Sequence, residues 1–187
     1  ALQHRGQESA GIAIFQDDRF QLYKNTGLVS EVFNEKTLSS IKCEGNIALA
    51  HCRYPAEKEA EATIVDAQPM VFNYLNGLIG MTYNGSLVNY DDLRYNLALR
   101  GSVFQTNSDC ELMMNLIASY AQDDLPGALA KVMLDAKGAY AIVAMMEDKL
   151  VGMRDPHGIR PLCLGKLDGH FMLASESCAI DAVGGEL

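Results

Sequence analysis

The sequence contains no run of apolar residues long enough to cross a membrane. A membrane-spanning helix needs about 20 consecutive apolar residues, and no stretch of this chain approaches that length. An N-terminal signal peptide, with a basic start and a short apolar segment, is also missing. We therefore expect a cytoplasmic protein with no membrane partner.

The sequence also lacks any cluster of basic residues. It has 15 Lys and Arg against 24 Asp and Glu, which gives a net charge of −9. This excess of negative charge disfavours binding to nucleic acids and to anionic membranes. The acidic residues are spread along the chain except at Glu57, Glu59 and Glu61, where we expect a solvated loop.

Paired cysteines are missing as well. The five cysteines are odd in number, widely spaced and form no CxxC motif, so a zinc site or a disulfide framework is not expected. We expect free thiols, buried or partly buried, in a reducing compartment. The cysteines are Cys43, Cys52, Cys110, Cys163 and Cys178.

The 187 residues, 49% of them hydrophobic, are enough for one domain with a sizeable core. Apolar runs bounded by turn residues predict strands, and capped segments with helical spacing predict helices. Asn89 is the expected cap of the first long helix, and Ser108 or Asp109 that of the second. We expect strands at 10–15, 20–24, 46–54, 71–74, 78–83, 139–146, 150–154, 162–167 and 170–175, and helices at 29–38, 90–100, 109–121 and 125–136.

The order of these elements is strands, then helices, then strands again. An alternating strand–helix pattern, which predicts a parallel sheet, is not seen. The order therefore favours an α+β protein in which sheets stack against helices.

Asn84 and Gly85 follow an apolar strand and allow two interpretations. Asn-Gly is a strong signal for a hairpin turn. Alternatively, the side-chain NH₂ of Asn84 and the backbone N–H of Gly85 form an oxyanion hole, because both can donate to a developing negative charge.

Arg53 lies at the end of a predicted strand. Its planar guanidinium suits a carboxylate ligand, although an arginine at such a position is often part of a surface ion pair. His51 and Cys52 suggest a base and a nucleophile, but adjacent residues of a strand point to opposite faces and are badly placed to pair.

Asp109 precedes a predicted helix, where it either caps the helix or holds a ligand's ammonium group. The loop at residues 154–161 is dense in charges and turn formers, and charge pairing that stiffens the loop would explain it. Together, a carboxylate binder, an ammonium binder and an oxyanion hole fit an α-amino acid whose side chain is attacked.

Motifs along nearly the whole chain resemble the amidophosphoribosyltransferase family. LQHRGQESAGIA at residues 2–13 and RDPHGIRPLCLG at residues 154–165 carry the resemblance most specifically. Further motifs, in the same order as in the family, are GLVSEVFNE, AHCRY, AQP, NGSLVNYDDLR, FQTNSD, KGAY and ASESCA.

The resemblance implies an N-terminal-nucleophile hydrolase fold, a four-layer αββα sandwich of two antiparallel sheets between helices. It also implies that an N-terminal cysteine attacks the side-chain amide of glutamine, with its own α-amine as the base. Ammonia then passes to a phosphoribosyltransferase domain, which makes phosphoribosylamine from phosphoribosyl pyrophosphate in the first step of purine synthesis.

By the same resemblance, Asn84 and Gly85 match the oxyanion hole. Arg53 matches the residue that binds the α-carboxylate of glutamine, and Asp109 the one that binds its α-ammonium. Arg5 matches a position that supports the site. No cofactor is implied for this domain. Mg²⁺ is expected in the phosphoribosyltransferase domain, an iron–sulfur cluster in the full chain is left open, and a homo-oligomer is expected.

The sequence departs from the family in several places. The family's nucleophilic cysteine precedes LQHRGQE and is not among the 187 residues, so we expect residues 1–187 to be a type 2 glutaminase domain truncated at the N-terminus, without the phosphoribosyltransferase domain and inactive as it stands. Pro55, Ala56, Tyr83, Ser86 and Cys110 replace residues usual in the family. A non-catalytic relative that binds an amino acid or a partner is the alternative.

Overall fold

The computed structural model describes residues 1–41, 44–54, 63–147 and 149–187. The expected glutamate loop and the departures at Pro55 and Ala56 lie outside these residues. The strands are β1 (Ser9–Gln16), β2 (Arg19–Thr26), β3 (Ile47–Arg53), β4 (Met70–Tyr74), β5 (Gly77–Leu87), β6 (Gly138–Met146), β7 (Lys149–Arg154), β8 (Cys163–Leu167) and β9 (His170–Ala174). The helices are α1 (Val29–Val32), α2 (Glu35–Ser40), α3 (Tyr90–Leu99), α4 (Asp109–Ser119), α5 (Leu125–Asp135) and α6 (Ser177–Asp181), with a short 3-10 helix at Gln3–Arg5.

Two antiparallel sheets form the centre of the fold. The first has the order β2-β1-β3 and the second β4-β5-β6-β7, while β8 and β9 form a separate hairpin. Asp17 and Asp18 join β1 to β2 with φ angles of 52° and 58°, a backbone that suits a tight hairpin and that Asp tolerates.

The sheets stack on each other and the second sheet also packs on helices. Ala13, Leu49 and Met145 form a small core between the two sheets. The main core lies on the other face of the second sheet, where residues such as Met81 and Ile142 pack against Leu112 and Val132 of the helices. The predicted α+β sandwich of two antiparallel sheets with helices is therefore confirmed.

Several local predictions were wrong. The single helix expected at 29–38 is two helices, because Asn34 adopts an extended backbone and its side chain accepts a hydrogen bond from the Thr37 N–H, which caps α2. Asn89 does not cap α3; its side chain bonds the main chain of Asp135 and Lys137 instead. Helix α6 was not anticipated.

No helix among the described residues is both long and apolar enough to span a membrane. The four described cysteines are free thiols. Cys178 is exposed, contrary to the expectation of buried or partly buried thiols, because it lies on the outer face of the short helix α6.

Candidate functional site

Asn84 and Gly85 lie inside strand β5 and not in a turn. Strand β5 pairs with β6 without interruption from Gly80 to Leu87, so that Gly85 lies opposite Tyr140. The hairpin-turn interpretation is therefore wrong. The strand was expected to end at residue 83, and the Asn-Gly pair marked a close approach of two backbones rather than a chain reversal.

The backbone N–H of Gly85 points away from β6. Tyr140 uses its main chain on the β7 side: its carbonyl accepts from the Asp155 N–H at 2.8 Å, and its N–H donates to the Asp155 carboxylate at 3.3 Å. Gly85 and Tyr140 are consequently a non-hydrogen-bonded pair of the antiparallel ladder. The Gly85 N–H is left at the opposite edge of β5.

Strand β4 does not cover this edge at Gly85. Its pairing with β5 stops at Met70, opposite Met81, and the preceding Pro69 has no N–H with which to continue the ladder. Residues 83–87 of β5 thus present an open edge at one end of the second sheet.

Two side chains bind this open edge on either side of Gly85. The Tyr83 N–H donates to Oε1 of Gln68 at 2.6 Å, and the Leu87 N–H donates to Oδ2 of Asp109 at 3.2 Å. The register leaves the Gly85 N–H between them without a ladder partner. A ligand oxygen at this point of the edge would meet an oriented backbone donor.

The side chain of Asn84 lies on the face of β5 that packs on the first sheet. Gly80, four residues earlier on that face, contacts Phe20 and Leu49 of the first sheet. No described residue hydrogen-bonds the side-chain amide of Asn84. Asn84 and Gly85 therefore present a side-chain N–H and a backbone N–H from consecutive residues.

Residue 85 must be a glycine for steric reasons. A Cβ atom there would lie 2.3 Å from the carbonyl oxygen of Ala139 and 2.7 Å from Cα of Tyr140. Both atoms belong to the backbone of β6 and cannot turn aside. The glycine therefore allows the close pairing that fixes the direction of its N–H.

Arg53 ends strand β3 and is buried, with 6% of its surface exposed. Leu49, on the same face of β3, packs between the two sheets, so Arg53 and Asn84 lie on the facing sides of the sheets. Arg53 forms an ion pair with Glu8. The alternative of a surface ion pair is wrong, because both side chains are withdrawn from solvent.

His51 and Cys52 do not form a nucleophile–base pair. They alternate on β3, and only His51 shares the face of Arg53. Burial, and then the charge of Arg53, lower the pKa of His51 to about 4, so it is neutral at pH 7. Burial raises the pKa of Cys52, which keeps its thiol protonated.

Asp109 is the first residue of α4 and not its cap. The Ser108 side chain caps the helix by accepting from the Glu111 N–H at 3.2 Å. Besides the Leu87 N–H, the Asp109 carboxylate accepts a weak hydrogen bond from the Tyr83 hydroxyl at 3.4 Å. Burial and then the charge of Asp109 raise the pKa of Tyr83, so the hydroxyl stays a donor.

Arg53 acts electrostatically on the first turn of α4. Burial raises the pKa of Cys110, the neighbour of Asp109, while the charges of Lys24 and Arg53 act in the opposite direction. Lys24 is held near by its hydrogen bond to the Ala67 carbonyl at 2.5 Å. The charges of Lys24 and Arg53 are therefore close enough to act on the N-terminal end of α4, where Asp109 lies.

Arg5 is directed toward helix α6. It forms an ion pair with Glu176, which also contacts Nε2 of His4 at 2.9 Å. The hydrogen bonds from Arg5 and then His4 lower the pKa of Glu176 to about 2. This contact ties the 3-10 helix to α6, and Gly6, which follows it, packs directly on the backbone of Cys52.

Backbone hydrogen bonds, not charge pairs, order the loop at residues 154–161. The buried Asp155 carboxylate accepts the N–H groups of His157, Ile159 and Arg160 at 3.0–3.1 Å. Arg154 donates to the Gly158 carbonyl. The expectation of charge pairing was therefore wrong, because the carboxylate is used to satisfy the main chain.

Three residues near the site, Glu8, Gln68 and Glu111, were not predicted from the sequence. Glu111 binds the N–H groups of Gln105 and Thr106 at 2.7 and 2.6 Å and so fixes the loop before α4. The spacing Ser108-x-x-Glu111 is a capping-box signal that could have revealed it. Glu8 and Gln68 act across the fold and carry no such local signal. Among the described residues, no group of three or more His, Cys, Asp or Glu could hold a metal ion.

Comparisons with known proteins agree on one family. The model of the glutamine amidotransferase domain matches residues 58–182. The amidophosphoribosyltransferase of Archaeoglobus fulgidus is 40% identical over 188 residues, which cover 100% of this chain and 40% of the relative. That of Bacillus subtilis is 37% identical over 185 residues, or 98% of this chain and 38% of the relative.

Solved structures give the same result. The glutamine phosphoribosylpyrophosphate amidotransferase from Bacillus subtilis, complexed with ADP and GMP, superposes with a TM-score of 0.88 at 37% identity, covering 99% of this chain and 39% of that one. A predicted glutamine amidotransferase from Pseudomonas aeruginosa shares the fold at 13% identity with a TM-score of 0.54, covering 90% and 77%. The chain thus spans about two-fifths of the length of the curated relatives it matches.

Proposed function

This chain belongs to the glutamine amidotransferase domain family, and we propose that it is the glutaminase domain of an amidophosphoribosyltransferase. The domain hydrolyses glutamine to glutamate and ammonia. In the full-length protein a phosphoribosyltransferase domain, with Mg²⁺, uses the ammonia to make phosphoribosylamine from phosphoribosyl pyrophosphate. The names of the relatives support this assignment, and a homo-oligomer is part of the proposal.

The open edge of β5 is the observation that carries the proposal. Attack on the side-chain amide of glutamine turns its carbonyl oxygen into an oxyanion. Donors that are already oriented toward that oxygen lower the barrier, because they need no rearrangement as the charge develops. Gly85 offers a backbone N–H at this edge, and the preceding Asn84 offers a side-chain amide on the face of β5 toward the first sheet.

Arg53 and Asp109 bind the two charges of the substrate in this proposal. Glutamine carries an α-carboxylate and an α-ammonium, and the buried guanidinium of Arg53 suits the carboxylate. The Asp109 carboxylate, held by the Leu87 N–H, suits the ammonium. Holding both charges would place the side-chain amide of the substrate at a fixed distance from them.

The nucleophile of the proposed reaction is the N-terminal cysteine of the family, which none of the 187 residues supplies. Its thiolate attacks the amide carbon, and its α-amine, with an ordinary pKa of about 7.7–8.0, accepts the thiol proton and passes it to the departing ammonia. Water then hydrolyses the thioester to glutamate. We expect the 187-residue polypeptide alone to release no glutamate above background.

The competing function is that of a non-catalytic relative that binds an amino acid or a partner. Tyr83, where the family usually has His, is a described departure directly beside the proposed oxyanion hole. The hydroxyl of Tyr83 donates to Asp109. The side chains of Tyr83 and Asn84 lie on opposite faces of β5, so Tyr83 need not block the oxyanion donors. Turnover by the full-length protein separates the two functions.

Replacing Asn84 by alanine in the full-length protein tests the proposal. Loss of one oxyanion donor typically lowers kcat by about 10²–10³, and KM should change little because this hydrogen bond is strongest in the transition state. Asn73→Ala is the matched control, since Asn73 is an exposed residue of the same sheet. Glutamate release and thermal melting are measured on the same preparations. A normal kcat in Asn84→Ala would refute the assignment.

A further inference from the structure

We propose that Glu8 is a positioning residue that orients the guanidinium of Arg53 toward the α-carboxylate of glutamine. The inference rests on the proposed role of Arg53. Neither the spacing of sequence motifs nor the comparisons assign Glu8 a part in the site.

The Glu8–Arg53 ion pair is shielded from solvent. The side chains are 8% and 7% exposed, and the contact joins Oε1 of Glu8 to Nη1 of Arg53. Attraction between opposite charges is stronger in such surroundings than in water, so the carboxylate restricts the orientations of the guanidinium. An arginine has five N–H donors, and the contact with Glu8 is made at one of them, on Nη1.

The backbone of Glu8 is itself fixed at both ends. Its N–H donates to the Arg53 carbonyl at 3.0 Å, and its carbonyl accepts from the Gly27 N–H at 2.8 Å. Gly6, two residues earlier, also packs closely on Arg53: a Cβ atom added to Gly6 would lie 2.5 Å from the carbonyl carbon of Arg53. Glu8 is therefore a rigid support for Arg53, since the backbone and the side chain of one residue are both bound to the other.

The second carboxylate oxygen of Glu8 indicates a role beyond stability. Oε2 is buried and has no hydrogen-bond partner among the described residues. A buried acceptor without a partner costs free energy, and a pair that served stability alone would be expected to use both oxygens with the arginine fork. The one-point contact instead fixes one end of the guanidinium.

The pair also balances charge in a way that suits a zwitterion. Glu8 contributes to compensating the buried charge of Arg53, and an uncompensated buried charge is costly. A glutamine zwitterion carries its α-ammonium together with the α-carboxylate that Arg53 is proposed to bind. Substrate binding then adds no net charge to the site.

The test compares glutamine with glutamine α-amide, which lacks the α-carboxylate charge, as substrates of the full-length protein. The preference for glutamine is expressed as the ratio of the two kcat/KM values. Glu8→Ala should raise the KM for glutamine about tenfold, roughly the effect of one charged hydrogen bond, with kcat little changed. The preference for glutamine over glutamine α-amide should fall in Glu8→Ala, as it should in Arg53→Lys. Glu8→Gln, which keeps an acceptor at Oε1, should recover part of the loss.

Glu44→Ala is the control, because Glu44 is an exposed glutamate. It should change neither the KM for glutamine nor the preference for glutamine over its α-amide. A merely structural role would lower kcat/KM for both substrates equally and leave the preference unchanged. If Glu8→Ala does not fold, Glu8→Gln is measured in its place, and its preference should lie between those of the parent and of Arg53→Lys. An unchanged preference in Glu8→Gln and Glu8→Ala, together with a reduced one in Arg53→Lys, would overturn the inference about Glu8. An unchanged preference in Arg53→Lys would instead overturn the proposed role of Arg53.

Discussion

Replacing Asp155 by asparagine removes the charge from a carboxylate that organises the loop after β7. Oδ1 accepts the N–H groups of His157 and Ile159, and Oδ2 accepts those of Tyr140, Ile159 and Arg160. Asparagine has only one acceptor oxygen. In either orientation, its NH₂ group faces at least one backbone N–H that has no other partner.

The size of the effect follows from these contacts. Asp155 is 2% exposed, so water cannot replace a lost bond. An orphaned buried N–H costs about 1–3 kcal/mol, and the remaining bonds are weakened by loss of the charge. We expect the free energy of unfolding to fall by about 2–4 kcal/mol, measured by urea denaturation at pH 7. Asp168→Asn is the control, because Asp168 is an exposed turn residue with a φ angle that asparagine tolerates. Its free energy of unfolding should fall by less than about 0.5 kcal/mol.

The pH dependence gives a second check. Burial alone would raise the pKa of Asp155, but the N–H donors of Ile159, Arg160, Tyr140 and His157 outweigh it and lower the pKa below the ordinary 3.8. A lowered folded-state pKa means that the stabilisation is present above that ordinary value and is lost as the pH falls through the folded-state pKa. The difference between parent and Asp155→Asn should therefore shrink below about pH 4. A loss under 0.5 kcal/mol at pH 7, or a difference that stays constant down to about pH 2.5, would refute this reasoning.

Two further predictions concern charged side chains. In the full-length protein, Arg53→Lys and Asp109→Asn should each raise the KM for glutamine about tenfold or more, because the fork and the ammonium partner are lost; an unchanged KM in both would show that the pocket is elsewhere. Glu176→Gln should lower the Tm slightly at pH 7. The pKa of Glu176 is lowered from 4.5 to about 2, so the difference in Tm should shrink as the pH falls across this interval. A difference in Tm that is as large near pH 2 as at pH 7 would contradict the assignment of the contact to Arg5 and His4.

The layered fold could be predicted because its signals are local. Apolar runs and turn residues such as Asp17-Asp18 indicate strands and hairpins within a few residues of each other. The prediction of one helix at 29–38 was wrong because the side chain of Asn34 favours capping a new helix over continuing the first one. Such a preference competes with a continuous helical pattern and is decided by the surrounding structure.

The site was predictable only in part. Resemblance to the amidophosphoribosyltransferases singled out Asn84, Gly85, Arg53 and Asp109, and the roles of these residues remain predictions. The open edge of β5 depends on where β4 stops and on which side Tyr140 bonds. Those are properties of strand register across distant segments, so no local pattern could have revealed them.

The same limit explains Glu8. It lies 45 residues from Arg53 along the chain, and its contact with Arg53 exists only because β1 and β3 are neighbours in the first sheet. A glutamate beside a glutamine in a polar stretch gives no indication of burial. Its position became informative once the pairing of the two strands was known.

The most direct measurement of the central claim is a crystal structure of the full-length protein inactivated by a glutamine analogue with an electrophilic ketone in its side chain. The account predicts that the oxygen of the bound side chain lies about 2.7–3.1 Å from both Nδ2 of Asn84 and the backbone nitrogen of Gly85. An analogue bound with that oxygen directed to other donors, and with the Gly85 N–H left without contact to it, would contradict the account.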